Sequence, residues 1–184
     1  MNRREKAVYL TFDDGPIPES TPIILDILQN FGVKATFFMV GDNVRKYPDL
    51  YEQIIKEGHR VGNHTHNHIS GFRHTLREYS FNVEKANAYI RSNLFRPPHG
   101  WMRLPQYALL RRKYKVVMWD LVTRDYSKWV NAQGVVKNVK RYARPGSIIT
   151  FHDSLKSIGK LESALPECLT WLREQGYEFK QIPE

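Results

Sequence analysis

Several features are scarce in this sequence, and each scarcity removes a class of protein. Cys168 is the only cysteine in 184 residues, so no intramolecular disulfide can form. It falls at helical spacing with Leu161, Leu165, Leu169 and Leu172, which suits a small buried hydrophobe better than a nucleophile. No apolar run is long enough to span a bilayer. Residues 1–6 carry charge with no apolar stretch behind them, so the chain as it stands has no secretory signal. A cytoplasmic location is expected, or an extracytoplasmic one if the native N-terminus is missing. No serine sits in a Gly-x-Ser-x-Gly elbow, which weakens a serine–histidine–aspartate reading. Zinc-finger, RNA-recognition and helix-turn-helix signatures are absent too, as are repeats and low-complexity segments.

Basic charge is plentiful. Lys and Arg number 28 against 19 Asp and Glu, a formal net charge of +9. Such a balance raises nucleic acid, a membrane surface or an acidic polymer as partner. The cations are mostly scattered, with small clusters at Arg111-Arg112-Lys113 and at Lys137, Lys140 and Arg141. This reads as a solvated basic surface: no nucleic acid is expected, and an acidic polymer stays open. Hydrophobic residues make up 41% and aromatics 12%, as in an ordinary soluble protein. The length suits one domain, 1–184, with a single core.

Short β-branched and aromatic runs alternate with longer amphipathic segments. The runs predict strands at 7–12, 35–40, 60–62, 94–96, 116–119, 147–151 and 177–181. Helices are predicted at 21–30, 51–57, 76–93, 105–113, 131–141 and 161–175. Gly32, Gly58 and Gly176 follow three of them, suited to left-handed caps. Strand then helix, repeated about seven times, implies parallel strands joined by crossovers. The fold class is α/β; the simplest form is a distorted (β/α) barrel with about seven parallel strands. A doubly wound open sheet is the alternative, and periodicity does not choose between them.

In both architectures, sites form at the C-terminal ends of the strands. Here the chemically loaded residues fall there repeatedly. Asp13 and Asp14 follow the first strand, and His64, His66 and His68 follow the third. Arg96-Pro97-Pro98-His99-Gly100 closes the fourth, Asp120 and Asp125 follow the fifth, and His152-Asp153 follows the sixth. Asp13-Asp14-Gly15-Pro16 alone would pass for a turn. Two histidines at i and i+4 on a helical turn face one way, however, and both can reach one ion. A carboxylate plus two imidazoles suits zinc or another first-row divalent ion, with positions left for water and substrate. His66 points elsewhere and is read as a bystander or a support to the site. His59, His74 and the side chain of His99 are read as surface or packing. His152 is either half of a capping pair with Asp153 or a general acid.

These residues resemble a known family. Thr11-Phe12-Asp13-Asp14-Gly15-Pro16, His64-Thr65-x-x-His68, Arg96-Pro97-Pro98-His99-Gly100, Asp125-Tyr126 and His152-Asp153 run in the order of the five motifs of polysaccharide deacetylases. That group is the nodulation-type deacetylase domain of carbohydrate esterase family four. The likeness runs from about residue 7 to 179. It implies a distorted barrel and a metal-bound water that attacks an N-acetyl carbonyl on a carbohydrate. Asp14, His64 and His68 would hold the ion, zinc first, with cobalt or another first-row divalent ion as alternatives. Asp13 would be the base and Arg96 would orient it. The backbone N–H of His99 would stabilise the oxyanion. His152 would protonate the leaving amine, with Asp125 raising its pKa.

The chain departs from the family pattern at four places. Val122 stands where another Asp is usual and Tyr126 where Trp is usual. Thr150 replaces a Leu that helps close the acetyl-methyl pocket, and His99 replaces an aromatic. These bear on the acyl and sugar pockets rather than on metal, base or acid. Trp101, Tyr126 and Trp129 are candidates for stacking on sugar rings, or for core. An O-acetyl esterase on the same site is the first alternative. A non-catalytic carbohydrate-binding domain is the second, though binding alone would need neither Asp13 nor His152.

Overall fold

The computed structural model describes residues 3–183. Its strands are β1 (Ala7–Asp14), β2 (Thr36–Met39), β3 (Arg60–Asn63), β4 (Leu94–Phe95), β5 (Lys115–Val116), β6 (Leu121–Val122), β7 (Ser147–His152) and β8 (Glu178–Lys180). They pair in the order β5-β4-β3-β2-β1-β7-β6, and every ladder is parallel. β8 joins β1 at Ala7–Tyr9, ahead of the stretch Thr11–Asp14 that pairs with β2. The sheet curls into a distorted (β/α) barrel, with β5 and β6 as its unpaired margins.

The helices are α1 (Thr21–Asn30), α2 (Gly41–Lys46), α3 (Pro48–Lys56), α4 (Leu76–Ile90), α5 (Leu104–Leu110), α6 (Ala132–Tyr142) and α7 (Ile158–Glu174). Period-two alternation separates two cores. Val8, Leu10 and Phe12 of β1 point outward and pack with α1, α6 and α7, among them Ile24, Val135, Leu161 and Cys168. Tyr9 points inward with Phe38, Leu94, Val117, Ile148 and Ile182, filling the barrel. The same alternation aims Thr11 and Asp13 inward. Burial pushes the Cys168 thiol up to about 12, as befits a packing residue.

Local signals explain the element ends. Thr75 caps α4 by accepting from the Glu78 amide, and the Glu78 side chain reaches back to the Thr75 amide, a reciprocal capping box. Asn131 caps α6 through the Gly134 amide. Gly32, Gly58 and Gly176 take φ of 61°, 80° and 76°, the left-handed conformation anticipated for them.

Three expectations need correction. Of the strand expected at 116–119 only Val116 is in a strand: Val117–Asp120 separate β5 from β6, where the chain crosses the gap between the margins of the sheet. Helix α2 was not anticipated, since six residues with two charged side chains in the last turn offer too little period to read. Asp120 does not reach the C-terminal rim of the strands. It accepts from the Ile148 amide at 3.0 Å and pairs with Arg3, at the other end of β7.

Candidate active site

Consecutive residues of a strand point to opposite faces, so Asp13 and Asp14 would normally diverge. They serve one cavity because Asp14 takes φ of 88°, which turns the chain at the end of β1. A side chain in that conformation is strained by about 1–3 kcal/mol, held by its surroundings. Asn43 helps by donating to the Asp14 carbonyl at 3.0 Å. The loop beyond is pinned as tightly: a Cβ on Gly15 would lie 1.9 Å from Asp153 Oδ2.

His64 and His68 converge by a route the sequence did not suggest. Residues 64–70 are not helical; left-handed conformations at Thr65 (φ 64°) and His68 (φ 53°) bring the rings together instead. Ring centroids lie 5.1 Å apart. His66, between them, turns away to stack on Tyr89 at 5.7 Å.

The ligand atoms of Asp14, His64 and His68 lie within 4.8 Å of one another. His68 Nε2 is 3.2 Å and His64 Nε2 3.8 Å from Asp14 Oδ1, yet that buried oxygen accepts no hydrogen bond among the described residues. His64 Nδ1 lies 2.8 Å from the Arg96 carbonyl and donates to it. This fixes the tautomer and leaves Nε2 with a free lone pair. Burial pushes His64 down to about 4, despite the carboxylates of Asp13 and Asp14, so the ring is neutral near pH 7. Burial works against the Asp14 carboxylate, but the close His68 imidazole, with His64 and His152 nearby, lowers it to about 2. One carboxylate oxygen without a donor and two imidazoles facing a common point fit a divalent cation.

Arg96 is wholly buried. Its Nη1 donates to Asp13 Oδ1 at 2.6 Å, Thr11 Oγ1 at 2.7 Å and Thr150 Oγ1 at 3.2 Å. Its Nε and Nη2 donate to the carbonyls of Val117 and Met118, in the gap between β5 and β6. The guanidinium lies over the Phe38 ring at 4.1 Å. Thr11 and Thr150 are register partners, and their hydroxyls are 3.0 Å apart. Thr150 is thus polar floor, tied to Arg96.

Asp13 and His152 are also register partners. Buried Asp125 grips His152 twice, accepting from its amide at 2.7 Å and from Nδ1 at 2.8 Å, which leaves Nε2 to the cavity. Burial opposes the imidazolium, but the hydrogen bond and charge of Asp125, with Asp13 and Asp14 behind it, raise His152 to about 9. Tyr126 meets the His152 ring edge-on at 4.6 Å. Asp153 is no partner of His152. It accepts from Ser20 and from Thr21, the latter at 2.6 Å, and burial, with the Asp14 charge behind it, raises it to about 7 against those two donors.

The cavity above these groups measures about 860 Å³, and Asp13, Asp14, His64, His68 and His152 face it. Val122, Tyr126 and Trp101 add to its wall. His99 takes φ of 58° and its ring meets His68 at 4.8 Å. Trp129 lies outside this cavity, in a neighbouring groove.

Sequence reading missed Thr11, Thr150, Ser20 and Thr21 as supports of the site. A signal was present for the first two, since each stands two residues before a candidate acid or base and so shares its face. Ser20 and Thr21 meet Asp153 from over 130 residues away, which no local pattern reveals.

A hydrolase built on a (β/α) barrel, with its candidate acid, base and metal donors at the C-terminal rim, is the class this geometry describes. The chain belongs to the polysaccharide deacetylase family, whose profile matches residues 1–117. It is accordingly a carbohydrate deacetylase, a hydrolase of carbon–nitrogen bonds. It is 33% identical to a peptidoglycan-N-acetylglucosamine deacetylase of Bacillus cereus, over 98% of this chain and 88% of that one. It is also 33% identical to the peptidoglycan-N-acetylmuramic acid deacetylase PdaC of Bacillus subtilis, over 100% of this chain but 39% of PdaC. Among solved structures it superposes on a peptidoglycan N-acetylglucosamine deacetylase in complex with 4-naphthalen-1-yl-N-oxidanyl-benzamide, with a TM-score of 0.93. Identity there is 33%, covering 99% of this chain and 88% of that one. No helix of the described residues is long and apolar enough to cross a membrane.

Proposed function

We propose that this chain removes N-acetyl groups from an N-acetylglucosamine-containing glycan with the help of a divalent ion held by Asp14, His64 and His68. The observation that carries the reading is the convergence on one cavity of three donor side chains, the Asp13–Arg96 pair and the His152–Asp125 pair. An ion bound there lowers the pKa of water and polarises an amide carbonyl. Zinc fits the carboxylate–imidazole set best, with cobalt or another first-row ion as substitutes.

The chain's own residues supply the remainder. Asp13, oriented by Arg96 through a charge-assisted hydrogen bond, takes a proton from the attacking water. The water oxygen joins the acetyl carbon while the carbon–nitrogen bond breaks. The backbone N–H of His99, which meets no acceptor among the described residues, donates to the oxygen that gains charge. One such donor is typically worth about 3–4 kcal/mol. His152 delivers a proton from Nε2 to the departing nitrogen, which leaves poorly unless protonated. Acetate and a free amine result.

A cell-wall glycan is the first substrate to try, given what the relatives are named for. Such a polymer would set the enzyme to work outside the cytoplasm, the second of the two locations expected from the sequence. The decisive experiment follows acetate release by mass spectrometry from chitooligosaccharides, peptidoglycan fragments and acetylated xylan, with metal content measured alongside. Release from an N-acetyl substrate that disappears on chelation supports the proposal. Release from xylan alone, surviving His152→Ala, would make the chain an O-acetyl esterase instead.

A further inference from the structure

Beside the catalytic cavity lies a groove of about 730 Å³, formed by residues 128–132, α6 and the start of α7. Four cations line it, Lys128, Lys137, Arg141 and Lys160, and its lining includes no Asp or Glu. None of the four joins an ion pair among the described residues. Lys160 is fixed by the carbonyls of Asp125 and Ser127, at 2.6 and 2.8 Å. Lys128 lies 4.9 Å from the centre of the Trp129 ring. Lys137 and Arg141 follow one another at i and i+4 on α6, where like charges repel. Glu167, a carboxylate that α7 brings against α6, is engaged by Gln133 and Lys140 instead.

Trp129 is 83% exposed. A large apolar ring left in water beside unpaired cations has the two components of a site for an acidic sugar: a flat face for the ring and charge for the substituent. The groove also adjoins the catalytic cavity along the chain. Asp125 holds His152, Tyr126 walls the cavity and Lys128–Asn131 wall the groove, so one short segment forms the partition between them.

We propose that this groove is a subsite for an anionic stretch of the glycan, with Lys137 and Arg141 meeting a carboxylate or phosphate and Trp129 stacking on a sugar ring. The inference rests on the deacetylase reading and narrows it: the preferred polymer carries negative charge a short distance from the N-acetyl group that is cut. A neutral chitin-type chain would gain the stacking but not the charge.

The test compares kcat and KM for acetate release from neutral chitooligosaccharides, from glycan strands bearing lactyl carboxylates, and from strands bearing phosphate groups, using wild type and Lys137→Gln/Arg141→Gln. The double variant should raise KM about tenfold on one or both anionic strands, leave kcat unchanged and leave the neutral substrate unaffected. Which anionic strand responds identifies the anion. Trp129→Ala should raise KM on all three, because a ring face carries no charge. The wild-type preference for the anionic strands should fade above about 0.3 M salt, where screening is strong. An equal KM change on neutral and anionic substrates, or none on any, overturns the proposal.

If wild type releases acetate from none of them, the deacetylase reading has failed by itself. The groove is then judged by electrophoresis through gels containing a soluble polyuronate. Retardation of wild type but not of the double variant upholds it, and equal mobility overturns it. Equal retardation by a mixed-sequence oligonucleotide, lost in the same variant, would make the groove an unselective polyanion surface and also overturns it.

Discussion

Arg96 reaches five acceptors from a wholly buried position, two of them main-chain carbonyls in the gap between β5 and β6. A lysine would keep the charge but not the planar fork that serves several acceptors at once. Arg96→Lys should therefore lose about 1–3 kcal/mol of stability for a buried acceptor left without its donor, and at least about a hundredfold in kcat through a misplaced Asp13. Urea unfolding and acetate-release kinetics would measure both. A variant with wild-type stability would show that the guanidinium orients Asp13 without closing the sheet. His152 offers a pH-resolved counterpart. Its folded pKa of about 9 lies above the unfolded 6.5, so the stability it contributes is full below pH 6.5 and disappears as pH rises through 9. In metal-free protein Asp125→Asn should cost at most about 3 kcal/mol at pH 6 and much less at pH 10. The basic limb of kcat/KM should move to lower pH in the same variant. A limb that stays in place would assign the proton donor elsewhere.

Among the elements, α4 gives a control that separates folding from catalysis. Thr75→Ala removes the capping box and should cost about 1 kcal/mol while kcat and KM stay unchanged. A loss of activity beyond the unfolded fraction would tie α4 to the site, contrary to its exposed cap. The elements also show what the sequence made legible. Strands β1 and β7 were readable because long β-branched and aromatic runs end in charged residues, and the glycines after α1, α3 and α7 marked their ends. The split between β5 and β6 was not, because the carbonyls of Val117 and Met118 are taken up there by the Arg96 side chain instead of a neighbouring strand, a contact no local pattern reveals. Site legibility followed the same divide. Residue types and their order were visible in the motifs, whereas the turn at Asp14 and the non-helical path from His64 to His68 depend on positive φ at Asp14, Thr65 and His68, a conformation that only glycine advertises plainly.

For the molecule as a whole, an ion that binds the folded state alone stabilises it in proportion to the logarithm of its concentration. Adding zinc to chelated protein at about a hundred times its dissociation constant should stabilise it by roughly 2.7 kcal/mol, read as a rise in Tm. His64→Ala should abolish the rise. A rise that persists in the variant would move the ion to other donors. The far end of the barrel carries a different consequence. Residues 181–183 cross the starts of three strands: Ile182 donates to Thr36 Oγ1 and accepts from Arg60, Lys115 reaches the Pro183 carbonyl, and the Ile182 side chain is fully buried beneath Tyr9 and Phe38. That side chain works as a stopper. Without it, water would have an axial path towards Arg96 from below, and the local dielectric around the Arg96–Asp13 pair would rise, weakening its attraction. Deleting residues 181–184 should therefore let a hydrophobic dye bind at the barrel floor and lower kcat, although residues 181–183 lie at the end of the barrel away from the rim where substrate enters. A deletion that binds dye but turns over normally would show the site to be insulated by Phe38 and Tyr9 alone.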